Sequence, residues 1–104
     1  MQRLGIVPRL QAALLSGEKH STIRYAEPDI LPGPLAYHCE ADGSPVAVVE
    51  VTRVTKMRLS EAAEFLGKAE EWPPPVMLAG MREHYPGIDL DDTVQVVEHG
   101  APLR

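Results

Sequence analysis

From Val46 to Thr55 the chain is dominated by β-branched residues, and this run constrains the fold more than any other. Val46, Val48, Glu50, Thr52 and Val54 fall on one face of an extended strand, and Val49 and Val51 on the other. Apolar residues on both faces predict a central, buried strand. Just before it, Asp42-Gly43 supplies the two residues that a tight hairpin turn favours. Leu35–Cys39 is therefore predicted to pair with it antiparallel.

The rest of the chain changes period several times. Leu4–Val7 reads as a short strand, and Pro8 suits the first position of a helix, where a missing N–H costs nothing. Leu10, Ala13 and Leu14 share a face up to Ser16, and Gly17 is placed to end that helix in the left-handed conformation. Period two begins at His20, and Ala26 to Gly33 carries the prolines and glycine of a loop. Ser60 is placed to cap a helix containing Glu61, Ala62, Ala63, Phe65 and Leu66, with Gly67 as its stop. After Pro73-Pro74-Pro75, Met77, Leu78, Met81 and Tyr85 form the apolar stripe of another helix, ended by Pro86-Gly87. Thr93–Glu98 is the closing strand. The order predicts a small α+β domain whose periodicity leaves barrel and open sheet both possible.

At 104 residues the expectation is one domain over 1–104 with one core and a loose tail from about Gly100. The lone Cys39 excludes an intramolecular disulfide, and no apolar run nears the roughly 18 residues of a membrane span, so the expected setting is soluble and cytoplasmic. Fifteen acids against ten bases give a net charge of −5, which disfavours a broad footprint on RNA or DNA. His20, His38, His84 and His99 show no metal-ligand spacing with Cys39, so neither a metal nor a cofactor is expected.

The chemistry concentrates in Gly17-Glu18-Lys19-His20-Ser21-Thr22-Ile23-Arg24. As a strand it directs Thr22 and Arg24 to one face, with His20 on the same side, and Ser21 and Ile23 to the other. Lys19 is three residues from Thr22, so it joins that face only if the turn out of the helix redirects it. Taken singly, Lys19 also fits a solvated post-cap residue, Thr22 an ordinary strand threonine, and Glu70 a surface carboxylate. The planar fork of Arg24 suits a phosphate, a base carbonyl or an acyl oxygen, and equally a structural ion pair. Trp72, beside Glu70 and Glu71, suits either stacking on a pyrimidine or packing.

The Gly17–Arg24 stretch, the strand Val49-Glu50-Val51-Thr52, and Glu83-His84-Tyr85-Pro86-Gly87 before a terminal strand together resemble the ASCH domain family. Their order and spacing, from about Leu10 to Glu98, are similar to its small bacterial acetylcytidine amidohydrolases. The resemblance implies a PUA-like β-barrel of mixed and antiparallel strands with flanking helices, and a cleft for RNA or modified nucleosides. It also implies catalytic roles for a lysine, a threonine three residues on, and a later glutamate, which fall here on Lys19, Thr22 and Glu70, with adjacent Glu71 the competing position. His20, Arg24, Glu71 and Trp72 are then the candidate substrate-binding residues. The sequence departs from the family after its loop, where Gly33 is followed by Pro34 rather than by aspartate.

Hydrolysis of an exocyclic acetamide needs a nucleophile, a base, an acid for the leaving nitrogen and donors for the oxyanion. Thr22 supplies a hydroxyl, Lys19 a base if its amine is neutral, and Glu70 a proton. The expected activity is hydrolysis of N(4)-acetylcytidine or a related small nucleoside to cytidine and acetate. The alternatives are a PUA-like module that binds RNA or nucleotide without turnover, and a ribonuclease. The sequence leaves the oligomeric state open.

Overall fold

The structure, a computed structural model, describes residues 1–103. Five strands form one mixed sheet: β1 (Gln2–Ile6), β2 (Ser21–Arg24), β3 (Gly33–Cys39), β4 (Pro45–Arg58) and β5 (Thr93–His99), in the order β1-β3-β4-β5-β2. A 3-10 turn at Pro8–Leu10 leads into α1 (Gln11–Ser16), and α2 (Leu59–Phe65) and α3 (Pro74–Arg82) lie between β4 and β5 in sequence. None of these helices is long and apolar enough to cross a membrane.

The expected central strand is β4, which lies between β3 and β5. Ala47, Val49 and Val51 on one face are buried, whereas Glu50 and Thr52 on the other are exposed. β3 and β4 pair antiparallel, with Leu35 opposite Val49 and Gly33 opposite Val51. At the connecting turn Gly43 has φ +74° and donates to the Cys39 carbonyl at 2.7 Å, while the Asp42 carboxylate accepts from the Ser44 backbone and hydroxyl. β1 pairs with β3 in parallel, Leu4 opposite Tyr37. Pro34, the departure noted in the sequence, sits in β3 beside a loop clamped by Gln2. The Gln2 side chain accepts from Leu31 N–H at 2.7 Å and donates to Leu31 O at 2.8 Å, giving the loop an anchor of its own.

The chain divides into two compact units. One comprises Met1–Thr22, Asp29–Val54 and the chain from Val97; the other comprises Ile23–Pro28 and Thr55–Val96. In the first, Leu4, Ile6, Leu14, Leu35, Tyr37, Val49, Val51 and Val97 belong to one buried cluster. In the second, Leu59, Ala62, Met77, Met81, Ile88, Val94 and Val96 belong to another.

Two local expectations change. Ser60 is not the N-cap of α2 but its second residue. The first amides of α2 are instead met by loop carbonyls, Leu59 N–H donating to Asp92 O at 2.9 Å and Ser60 N–H to Leu90 O at 3.0 Å. The segment after β5, expected to be loose, is tied to β4 by Gly100 N–H to Glu50 O at 3.1 Å and Leu103 N–H to Val48 O at 2.7 Å.

Candidate functional site

The first unit contains Lys19, His20 and Thr22. Helix α1 ends at Ser16 because Gly17 takes φ +86°, a left-handed conformation that glycine adopts without steric cost, and donates to Leu14 O at 3.2 Å. Lys19 N–H then bonds Ala13 O at 2.9 Å, so the chain turns back over the helix end before β2 begins. The half-buried Lys19 side chain follows that turn, and its Nζ donates to Ser21 O at 2.6 Å. Its amine is seated on the peptide that joins Ser21 to Thr22.

Thr22 is 9% exposed, and among the described residues no side-chain hydrogen bond engages its hydroxyl. A nearly buried hydroxyl without a protein partner has its donor and acceptor capacity available to a ligand or solvent. His20 is exposed, and its backbone carbonyl accepts from His99 N–H at 3.0 Å.

His99 and Tyr37 are the polar residues of this unit that sequence reasoning did not select. His99 is 4% exposed and Tyr37 1%. The His99 Nδ1 lies 2.8 Å from Gly100 O and its Nε2 lies 3.0 Å from the Tyr37 hydroxyl. A carbonyl only accepts, so Nδ1 carries the proton, and Nε2 of the neutral ring accepts from Tyr37. Burial holds the imidazole below its ordinary pKa, against the Gly100 hydrogen bond and with the charges of Lys19 and His20 acting in the same direction as burial. The signal available in the sequence was the register that places His99 two residues beyond buried Val97. Next to it, Glu98 takes a two-pronged hydrogen bond from Arg53 at 2.5 and 3.0 Å. That bond draws the Glu98 carboxyl below its ordinary range.

The second unit contains Arg24, Glu70, Glu71 and Trp72. The Arg24 side chain is 15% exposed, and its Nη1 lies 3.7 Å from Glu27 Oε2. Tyr85 donates its hydroxyl to the same Glu27 carboxylate and packs edge-on against Tyr25, with ring centroids 5.8 Å apart. Burial raises the Tyr85 pKa, and the Glu27 bond adds to the shift. Arg24 is thus within ion-pair distance of Glu27. Glu70 is exposed in the turn after α2. Glu71, also exposed, lies 3.8 Å from Lys68 Nζ. Trp72 is half-buried against the second cluster, with Lys68 Nζ 6.0 Å from its ring centroid, so packing accounts for its position.

No family model matches the sequence, and no curated protein matches it. Solved structures do match. A mutant ASCH protein from Zymomonas mobilis has a TM-score of 0.71 at 12% identity, over 98% of this chain and 71% of that one. A protein from Enterococcus faecalis V583 has a TM-score of 0.62 at 15% identity, over 91% and 70%. An ASCH domain from Lactobacillus crispatus JV V101 has a TM-score of 0.57 at 22% identity, over 90% and 70%. The chain therefore has the α+β, PUA-like fold of ASCH domain proteins.

Proposed function

We propose that the chain is an ASCH amidohydrolase that removes the acyl group from N(4)-acetylcytidine or a related small nucleoside. The observation carrying this reading is the head of β2, where the Lys19 amine is fixed on the Ser21 carbonyl beside a nearly buried Thr22 whose hydroxyl is available. A neutral amine has two N–H groups and one lone pair. Donating one N–H to Ser21 O orients the amine and leaves the lone pair to take the Thr22 proton. Thr22 Oγ1 then bonds to the acyl carbon, the C–N bond breaks, and the departing cytosine nitrogen receives a proton from Glu70. Water then attacks the ester while the Glu70 carboxylate takes its proton, and the Thr22 oxygen leaves with the proton held by Lys19, which releases acetic acid and restores all three groups. The ion pair of Glu71 with Lys68 favours Glu70 over Glu71 for the acid. Arg24 and His20 are the proposed contacts to the nucleoside.

Incubation with acetylcytidine, followed by chromatography for cytidine and acetate, tests this assignment. Wild type should turn over, and Lys19→Ala and Thr22→Val should each lose about 10²-fold or more in kcat. Glu70→Gln should lose a similar factor and Glu71→Gln little. A folded wild type inert toward all acylated cytidines would overturn the proposal. Tight, salt-sensitive RNA binding without turnover would replace it with the RNA-binding reading, which the charge of −5 disfavours.

A further inference from the structure

We infer that the segment after β5, residues 100–103, is a strap that positions the Lys19 amine, acting through the Ala101 side chain and the Leu103 backbone. The inference deepens the reading of Lys19 as the base and rests on it. The turn that carries Lys19 is bonded to α1 by Gly17 N–H to Leu14 O at 3.2 Å, Lys19 N–H to Ala13 O at 2.9 Å and Glu18 N–H to the Ser16 hydroxyl at 3.3 Å. Helix α1 has six residues and buries one of them, Leu14, so its own seat is shallow. The sheet reaches the same turn through the chain around the end of β5. His99 N–H holds His20 O at 3.0 Å, and the Ala101 methyl lies over Gly17, 3.6 Å from the point that a Cβ there would occupy. Lys19 is thus bracketed at residue 17 and at residue 20.

The strap is itself fixed on the central strand. Gly100 N–H donates to Glu50 O at 3.1 Å and Leu103 N–H to Val48 O at 2.7 Å, so residues 100–103 continue along β4 the course that β5 follows. This matters for the amine because Nζ reaches forward to Ser21 O, two residues on. The ring closed by that bond contains the His20 peptide, whose carbonyl is the group that His99 N–H holds. Released from β5, residues 19–21 regain backbone freedom, which opens the ring and carries the amine away from the head of β2. A misplacement of about 1 Å is enough to cost up to about 10²-fold in rate. Burial adds little to the strap's hold, since Ala101 is exposed and Leu103 is 59% exposed. Its backbone bonds and the small methyl on Gly17 carry the effect.

NMR of the full chain labelled with carbon-13 at lysine tests the inference, with turnover of acetylcytidine measured in parallel. A seated amine keeps the two ε-methylene protons of Lys19 in different surroundings, whereas free rotation averages them. Wild type should therefore show two distinct signals, assigned by their absence in Lys19→Met. Leu103→Pro removes the N–H that binds Val48 O, and Ala101→Gly removes the methyl over Gly17. In both the two signals should converge, and kcat should fall about tenfold with KM within about twofold. Leu103→Ala keeps the N–H and should match wild type in both readouts. So should Ile6→Val, which trims the buried cluster of the same unit from β1, at the far edge of the sheet. Coincident signals in wild type, or signals still distinct in Leu103→Pro, would overturn the inference. A loss in Leu103→Ala or Ile6→Val equal to that in Leu103→Pro, or converged signals with kcat unchanged, would overturn it as well. Because the NMR arm is independent of turnover, an inert wild type would sink the amidohydrolase assignment while the relation of the strap to Lys19 was still decided.

Discussion

Gly17 and Ala26 both occupy the left-handed region, with φ +86° and +54°, but only one of them was legible as such. Gly17 announced itself by following a helical stripe. A Cβ there would meet Ala101 Cβ at 3.6 Å, an ordinary contact, so a side chain is opposed by the backbone conformation alone. Gly17→Ala should therefore cost about 1–2 kcal/mol in urea unfolding. It should also loosen the turn that directs Lys19, lowering kcat more than its stability loss accounts for. Ala26 gives no sign in the sequence, because alanine carries no preference for φ > 0. It bends the chain so that Glu27 meets Tyr85 and Arg24. Ala26→Gly removes the steric cost and adds flexibility to the unfolded chain, two effects of about 1 kcal/mol and of opposite sign. The unfolding midpoint should accordingly move little, in contrast to Gly17→Ala, and a loss above about 1 kcal/mol would contradict this account.

Among the elements, helices and strands followed from periodicity, whereas their ends depended on residues distant in sequence. The start of α2 shows why. Ser60 followed by Glu61 has the composition of an N-terminus, yet the amides there are met by the carbonyls of Leu90 and Asp92, some 30 residues later. No local pattern encodes such a cap. Ser60→Ala should therefore shift stability by less than about 0.5 kcal/mol, well under the roughly 1 kcal/mol of a lost side-chain cap. Ile88, fully buried beneath the loop that supplies those carbonyls, is the costly position: Ile88→Ala should lose about 2–5 kcal/mol. Equal losses in the two variants would return the cap to Ser60. The candidate site follows the same division. The Gly17–Arg24 stretch was visible as a concentration of chemistry at a change of period, and so was the condition that Lys19 turn. The Tyr37–His99 pair was not, since it joins β3 to β5 across 62 residues and His99 was weighed only as a metal ligand.

Across the whole molecule, stability should be bounded on the acid side by His99 and on the alkaline side by Tyr85. Both groups are neutral when folded, and both resist charging because burial disfavours the ion. For His99 the folded pKa lies below that of the unfolded chain, near 6.5. As pH falls from about 6.5, the unfolded chain takes a proton that the folded ring refuses, so stability declines until the folded pKa is passed. For Tyr85 the folded pKa lies above the unfolded value near 10. As pH rises from about 10, the unfolded phenol loses its proton first, and stability declines until the folded phenol follows. Glu98, drawn down by Arg53, adds a further loss only below the carboxylate range, about pH 4.5 and lower, which separates it from His99. Urea midpoints across pH should thus form a plateau with two shoulders. His99→Gln should flatten the decline that begins below about pH 6.5, and Tyr85→Phe the decline above about 10, each leaving the other shoulder in place. If His99→Gln left the acid decline unchanged, the buried ring would not be what limits stability there.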